Sequence, residues 1–346
     1  MLIQALNKIT QKQDLSEQEA FELMDYLSTG EAEPAQIADF LIAMNTKGET
    51  VEELTGFAKC MREKAVKIER PEGVTIVDSC GTGGDGANTF NISTASAIVA
   101  AASGVKIAKH SNAGFSSKCG SSNVLEALKI PLLQTPEAVE KTLANHSIAF
   151  IHAPYFHKSS YHVNQVRKEL GIRTVFNFLG PLTNPAKPTG QVIGVSNPEM
   201  LPKIIETLKN LGCKRALAVC GLDPNGTQYA PCKALLDEFS ICGETLVYEL
   251  KDDEIRNYRV NPEDFGLKKA SLQDIEGGLP DENAKIIKDI FASKITGAKK
   301  DILVLNSAAV LLVDNRVKTL EEGVRMTEKL INSGQALDKL KDLIAR

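Results

Sequence analysis

Val74-Thr-Ile-Val-Asp78-Ser-Cys-Gly81-Thr-Gly-Gly84-Asp85-Gly86-Ala-Asn-Thr89-Phe-Asn91-Ile92-Ser93-Thr94 reads as a strand, a glycine-rich turn and the opening of a helix. The run Val74–Cys80 is apolar and rich in β-branched residues, the composition of a strand. The helix that follows, Ala95–Ser103, is nearly all Ala, Ile and Val, hence a buried one, and Gly104 ends it. A second strand, Val105–His110, then runs into a second loop of small residues, Ser111 to Ser122, and a further helix, Asn123–Lys129. Glycine lets the backbone approach a ligand closely, and a helix N-terminus offers unpaired N–H groups with partial positive charge. Both loops therefore suit a bound phosphate.

Gly81, Gly83 and Gly86 also satisfy the G-x-G-x-x-G pattern of dinucleotide folds. That reading needs an acidic residue about 20 positions further on to hold ribose hydroxyls. No Asp or Glu occurs between Asp85 and Glu126; Lys106, Lys109 and Lys118 stand there instead. A G-x-x-x-x-G-K-[ST] loop is absent too. Two anion loops without a nicotinamide signature are what remains.

Outward from this segment, Ile148–Ala153, Gln191–Val195, Ala216–Cys220, Thr245–Leu250 and Ile302–Leu305 are further short apolar runs with strand character. Asn197-Pro198 opens a helix that carries Leu201, Ile204, Ile205, Leu208 and Leu211 on one face, closed by Gly212. Strands alternating with helices imply an α/β domain with a mainly parallel central sheet covered on both faces. The first 70 residues differ: they read as helices only. Ser16…Glu19 and Thr50…Glu53 have the form of capping boxes, and Pro34 starts a helix whose Ile37, Phe40, Leu41 and Met44 share a face before Gly48 stops it. Arg70-Pro-Glu-Gly73 reads as a hinge. Residues 1–70 and 71–346 are expected to be separate domains, with segment 155–185 packed between them.

The chain has 346 residues, enough for about two domains. Its 43% hydrophobic and 24% charged residues are ordinary globular values. A formal charge of −4 lacks the basic excess of a nucleic-acid coat protein. The most apolar stretches, Ala95–Val105 and Ile302–Val313, fall short of the ~18 residues of a membrane span. The N-terminus lacks a charged region followed by an apolar one, and the seven Cys include no C-x-x-C pair. A cytoplasmic protein with reduced thiols, no nucleic-acid partner and no membrane partner is expected.

Two further features bear on chemistry. Asp237-Glu238 is an adjacent acidic pair after the turn-prone Asp223-Pro-Asn-Gly226. Carboxylate oxygens suit Mg²⁺, which is commonly held by one or two carboxylates plus substrate phosphates. Arg167 is either a helix-surface charge or a bidentate partner for a carboxylate. His152, His157 and His162 lie five apart, which matches neither a helix face nor a strand face and argues against a metal site. His110, at a strand end, is open to either a structural or a chemical role.

These residues together resemble the anthranilate phosphoribosyltransferase family. Leu15-Ser-Glu-Gln-Glu-Ala20, Gly30-Glu-Ala, Ala35-Gln-Ile-Ala38 and Lys47-Gly-Glu-Thr50 resemble its helical domain. Asp78 to Gly86 and Thr89 to Ser96 resemble its phosphoribosyl-pyrophosphate loop. Val124 to Leu128, Val166 to Thr174, Phe176 to Pro181 and Pro262 to Gly266 are similar to further family segments.

The resemblance implies a small helical domain that makes a homodimer, and a larger α/β domain of the nucleoside-phosphorylase-like kind. It implies an Mg²⁺-dependent transfer of phosphoribosyl from phosphoribosyl pyrophosphate to anthranilate, a step of tryptophan synthesis. On this resemblance, Gly81, Gly84, Asp85, Thr89, Asn91, Ile92, Ser93, Thr94, Lys109, His110, Ser111, Asn112, Ala113, Gly114, Phe115, Ser116, Ser117 and Ser121 cradle the donor. Ser93, Asp237 and Glu238 hold Mg²⁺, while Gly81, Asn112 and Arg167 face anthranilate. No acid–base residue is implied, because an aromatic amine is already unprotonated at neutral pH. The family's second loop usually reads Lys-His-Gly-Asn-Arg; here it is Lys109-His110-Ser111-Asn112-Ala113, and Asn123 replaces a usual Asp. The lost arginine removes a cation from a multiply charged ligand site, worth ~1.5–3 kcal/mol if its bond was made. Three alternatives stay open: a different aromatic amine as acceptor, pyrimidine-nucleoside phosphorolysis on the same architecture, and a non-catalytic paralogue that binds nucleic acid.

Overall fold

The computed structural model describes residues 2–70, 73–112, 118–222 and 234–345. The expectations placed on Pro71 and Glu72, on Ala113, Gly114, Phe115, Ser116 and Ser117, and on the turn Asp223–Gly226 lie outside those residues.

Four helices come first: α1 (Leu2–Thr10), α2 (Glu17–Leu27), α3 (Pro34–Lys47) and α4 (Val51–Lys64). Both capping boxes form. Ser16 Oγ accepts from the Glu19 N–H at 3.2 Å while the Glu19 carboxylate accepts from the Ser16 N–H at 2.9 Å. Thr50 and Glu53 repeat the pair at 3.2 and 2.9 Å. A cap of this kind is worth ~1 kcal/mol. The Glu53 side chain is fully buried and also accepts from the Leu15 N–H and the Lys47 ammonium, both at 2.9 Å. One carboxylate thus ties the approach to α2, the end of α3 and the start of α4.

The strands are β1 (Val77–Gly81), β2 (Ile107–Ser111), β3 (Ile148–His152), β4 (Gly190–Gly194), β5 (Arg215–Leu222), β6 (Ala234–Leu236), β7 (Thr245–Lys251) and β8 (Glu254–Val260). They form one sheet in the order β3-β2-β1-β4-β5-β7-β8, with β6 paired to the end of β5. Pairing is parallel from β3 to β5 and antiparallel beyond it. β1 and β2 begin later than their apolar runs do, because Val77 and Ile107 are the first residues with partners across the sheet.

Ile302–Leu305 is not a strand. It lies within a helix, Ala298–Val313, buried along its whole length from Ile302 onward. A helix enclosed on every side shows no polar face, so a four-residue apolar window cannot tell it from a buried strand. β8 is the converse case: its exposed Glu254, Arg256, Asn257 and Arg259 hide the strand, and such charges protect a sheet edge from pairing with other chains.

Alternation along the strands covers both faces. Val77, Ile107, Phe150, Val192, Leu217 and Val219 face a core built on helix α5 (Ile92–Ala102) and Ala298–Val313. Ile193, Ala216, Ala218 and Cys220 face the other way, into a core shared with the N-terminal helices and helix Leu201–Asn210. Val163, Val166, Phe176 and Leu179 belong to that second core too. The buried Arg62 of α4 donates to the carbonyls of Leu182 (2.7 Å) and Leu211 (3.1 Å), which fastens the bundle to the sheet-bearing part.

Candidate active site

β1, β2 and β3 are laid down in one direction across the sheet and β4 and β5 in the other, so the order reverses between β1 and β4. Open parallel sheets bind ligands outside the carboxyl ends of their strands at such a reversal. A cavity of about 380 Å³ opens there, within the size range of small-ligand pockets. Every described residue of the expected site lines it: Gly81, Gly84, Asp85, Thr89, Asn91 to Thr94, Lys109 to Asn112, Ser121, Arg167, Asp237 and Glu238. Lys106 and Lys118 do not. The Lys106 ammonium turns away and donates to the carbonyls of Leu143 and Ala144 at 3.0 Å.

The first loop is shaped by Gly83, Gly84 and Gly86, at φ +68°, +74° and +75°. Thr82 N–H donates to the Gly194 carbonyl at 2.9 Å, and Gly83 N–H to Asp237 Oδ2 at 2.7 Å. A Cβ at Gly81 would lie 1.9 Å from Asp237 Oδ2, and one at Gly194 only 1.5 Å from the Asp237 carbonyl oxygen. These two glycines, paired across β1 and β4, are what let the acidic pair reach the loop.

Helix α5 meets the cavity with its N-terminus. Its cap residue, Asn91, makes no side-chain capping bond; it instead donates to the Cys119 carbonyl and accepts from Asn283 Nδ2, both at 3.0 Å. Ser93 N–H donates to Glu238 Oε1 at 3.1 Å. The Thr94 hydroxyl is buried without a partner. Such a group costs about 1–3 kcal/mol unless something satisfies it, and here it lines the cavity.

From β2, the fully buried Lys109 extends between the strands to the Ser79 carbonyl and to Ser93 Oγ (3.3 Å). His110 Nδ1 lies 3.0 Å from the Gly180 carbonyl, so that nitrogen carries the proton and Nε2 is a bare acceptor. Burial holds His110 below the usual imidazole range; it takes the neighbouring His157, its ring tilted at 58° (ring centroids 5.0 Å apart), down to about 3. Both rings are neutral at physiological pH. In the second loop Asn112 and Ser121 bond each other through Asn112 N–H to Ser121 Oγ (3.0 Å) and Ser121 O–H to the Asn112 carbonyl (3.1 Å). Asn123 accepts from the Gly120 N–H at 3.0 Å, so an amide oxygen serves at the head of helix α6 (Ser121–Leu128) where the family pattern has Asp.

Asp237 and Glu238 follow β6 and sit against Asp85. Burial first, then the negative charges of Asp85 and Glu238, push the Asp237 carboxyl well above its usual range. Burial likewise takes Glu238 up to about 8, opposed by the Lys109 ammonium and the Ser93 N–H. Among the described residues no group of three His, Cys, Asp or Glu could hold a metal ion by itself. The set Asp237, Glu238 and Ser93 hydroxyl nevertheless fits Mg²⁺: hard oxygens, two adjacent carboxyls that a bound cation would hold ionised, and a cavity left open for phosphate oxygens and water.

Arg167 enters from helix Tyr161–Leu170, with Nη1 donating to Asn164 Oδ1 at 2.9 Å and the guanidinium 5.2 Å from the Phe176 ring. Burial lowers it to about 10, which leaves it charged. Met61 of α4, Pro154, Phe176 and Pro181 add apolar surface to the wall of the same cavity. Sequence reading found Arg167 but not Asn164 or Phe176 beside it, nor Asn283. Asn283 lies 192 residues from the Asn91 it holds, and no local pattern announces such a pair.

Two family models match the chain: the helical bundle domain of a glycosyl transferase family over residues 3–65, and the a/b domain of the same family over residues 73–337. An anthranilate phosphoribosyltransferase of Acetivibrio thermocellus is 47% identical over 344 residues, covering 99% of this chain and 96% of that one. Among solved structures, an anthranilate phosphoribosyltransferase from Thermus thermophilus superposes with a TM-score of 0.88 at 37% identity, over 99% of this chain and 98% of that one. The Saccharomyces cerevisiae protein of the same name, in complex with PRPP and Mg, gives 0.87 at 27% identity, over 99% and 97%.

Proposed function

We infer from the chain's membership of the anthranilate phosphoribosyltransferase family, to which it belongs over its whole length, that it transfers phosphoribosyl from phosphoribosyl pyrophosphate to anthranilate. The products are N-(5-phosphoribosyl)anthranilate and pyrophosphate, and the reaction depends on Mg²⁺. The observation that carries this reading is the joining, in one cavity, of an uncapped helix N-terminus, the buried Lys109 and the acidic pair, with Arg167 beside Phe176.

In this reaction the amine nitrogen bonds to the anomeric carbon as that carbon's bond to the pyrophosphate oxygen breaks. The sugar passes through an oxocarbenium-like state, so the main demand is to stabilise charge on the leaving group. The N–H groups of the first loop and of α5, with the hydroxyls of Ser93 and Thr94 and the Lys109 ammonium, are suited to receive the diphosphate. Asp237, Glu238 and Ser93 would hold Mg²⁺, which when bound supplies further positive charge to the departing oxygens. Arg167 grips the anthranilate carboxylate, and Phe176 and Pro181 flank its ring. Gly81 and Asn112 close the space between acceptor and donor. An aromatic amine reaches the site unprotonated, so no base must free its lone pair, and the extra proton leaves once the new bond has formed.

Residues 1–70 act as the dimerisation domain and residues 71–346 as the catalytic one. The exposed Ile3 and Ile42, on α1 and α3, support an apolar contact with a second copy. Among the described residues no helix is long and apolar enough to cross a membrane, and the enzyme works in the cytoplasm. The direct test mixes protein, Mg²⁺, phosphoribosyl pyrophosphate and anthranilate and follows anthranilate fluorescence. Donor-dependent loss of the signal is expected; none at any protein concentration would refute the assignment. Release of thymine or uracil from its nucleoside with phosphate would favour the phosphorylase reading instead.

A further inference from the structure

The first loop is held from behind by a residue that does not line the cavity. Gly171, at φ +62°, ends helix Tyr161–Leu170 and turns the chain back so that Arg173 lies under the loop. Arg173 Nη1 donates to the Gly84 carbonyl at 3.1 Å and to Ser196 Oγ at 2.9 Å. Ser196 in turn donates its proton to the Gly83 carbonyl at 3.1 Å. The serine thus accepts one bond and donates one, as a hydroxyl can. The guanidinium lies 5.9 Å from the Phe178 ring, and a Cβ at Gly84 would come within 2.8 Å of Nη1. Arg173 is partly buried, and its Nη2 is buried without a partner.

The consequence follows from peptide geometry. In a trans peptide the N–H points opposite to the C=O. Drawing the carbonyls of Gly83 and Gly84 back toward Ser196 and Arg173 therefore turns the N–H groups of Gly84 and Asp85 the other way, to the side where these residues line the cavity. Successive N–H groups on a turn with positive φ form an anion-binding concavity. Arg173 also stands six residues after Arg167 in the chain, and Phe178 two after Phe176. One short segment therefore carries both the acceptor-side arginine and the support of the donor loop.

We propose that Arg173, relayed through Ser196, is the positioning residue that aims the Gly84 and Asp85 N–H groups at the diphosphate of the donor. It touches neither substrate. The proposal rests on the reading of this loop as the donor loop, and a failure of that reading is recognisable by itself, since the wild-type protein would then show no donor-dependent consumption of anthranilate.

The test compares wild type, Arg173→Ala, Arg173→Lys and Ser196→Ala by steady-state kinetics against each substrate with Mg²⁺ saturating. Loss of two charge-assisted bonds predicts a rise of ~10-fold or more in the donor KM for Arg173→Ala, with the anthranilate KM within about twofold of wild type. Arg173→Lys restores part of the difference, because an ammonium keeps the charge but lacks the planar fork. Ser196→Ala moves the donor KM in the same direction by ~3-fold, and carries the test if Arg173→Ala does not fold. A donor KM within twofold of wild type in the folded variants, or both KM values rising alike, overturns the proposal, as does a lysine variant no better than alanine.

Discussion

Asp237→Asn separates what this carboxylate does for the reaction from what it costs the fold. The amide is isosteric, and its oxygen can still accept the Gly83 N–H now bonded at 2.7 Å. What disappears is one negative charge beside Asp85 and Glu238. Disturbing the groups that merely orient a metal's ligands costs 10- to 100-fold in affinity, so removing a ligand's charge should raise the Mg²⁺ concentration for half-maximal rate by at least ~10-fold. Stability moves the opposite way. The folded-state pKa of Asp237 lies well above the unfolded one, chiefly through burial, so this carboxyl costs the metal-free fold stability as pH rises above the unfolded value. A neutral amide removes that destabilisation, ~1.4 kcal/mol for each unit of displacement. The metal-free variant should therefore melt at a higher temperature than wild type at pH 7. Initial rates across an Mg²⁺ titration and thermal unfolding in chelator measure the two effects. Full turnover at an unchanged Mg²⁺ requirement would refute the assignment of Asp237 as a ligand. A lower melting temperature in chelator would show the carboxylate to be structural.

Other perturbations test other parts of the cavity. Arg167→Ala should raise the anthranilate KM by ~10-fold or more and the donor KM far less, the loss of one charged bidentate contact; equal effects would place the arginine elsewhere. Lys109→Met keeps volume but removes a buried ammonium from Ser79 and Ser93, and should lower kcat/KM for the donor by ~10–100-fold in steady-state assays; a change under twofold would remove Lys109 from the donor site. Gly194→Ala would drive a methyl against the Asp237 backbone, so it should lose Mg²⁺ response as Asp237→Asn does but with lower stability; retention of both would contradict the packing. Because burial holds His157 at about 3, the unfolded chain takes up its proton first as pH falls below about 6.5. Stability should decline from there toward pH 3, and denaturant unfolding at several pH values should show a shallower slope for His157→Asn.

Much of this was readable from residues close together in the chain. The capping boxes at Ser16 and Thr50 and the Pro34–Gly48 helix are local devices whose bonds close within three or four positions, and they formed where the spacing put them; the loop after β1 turns on its own glycines at positive φ, though its bonds reach Gly194 and Asp237. Strand-to-helix order also brought the loop after β1 and the described ends of the loop after β2 to the cavity. What escaped depended on distant partners. The apolar window at Ile302 was a helix because the sheet and the C-terminal helices enclose it, a fact no four residues contain. Gly194 gave no sign that it makes room for Asp237, 43 positions away, and Asn283 none that it steadies Asn91. The acidic pair was visible, but its raised pKa values arise from burial and from Asp85, which only folding brings alongside.

Isothermal titration of phosphoribosyl pyrophosphate into the protein, with and without millimolar Mg²⁺, addresses the cavity most directly. Saturable heat of one site per chain with Mg²⁺ present, much weakened in Asp237→Asn and in metal-free buffer, is the expected result. No association at millimolar magnesium would mean that the two loops and the acidic pair do not form a diphosphate site.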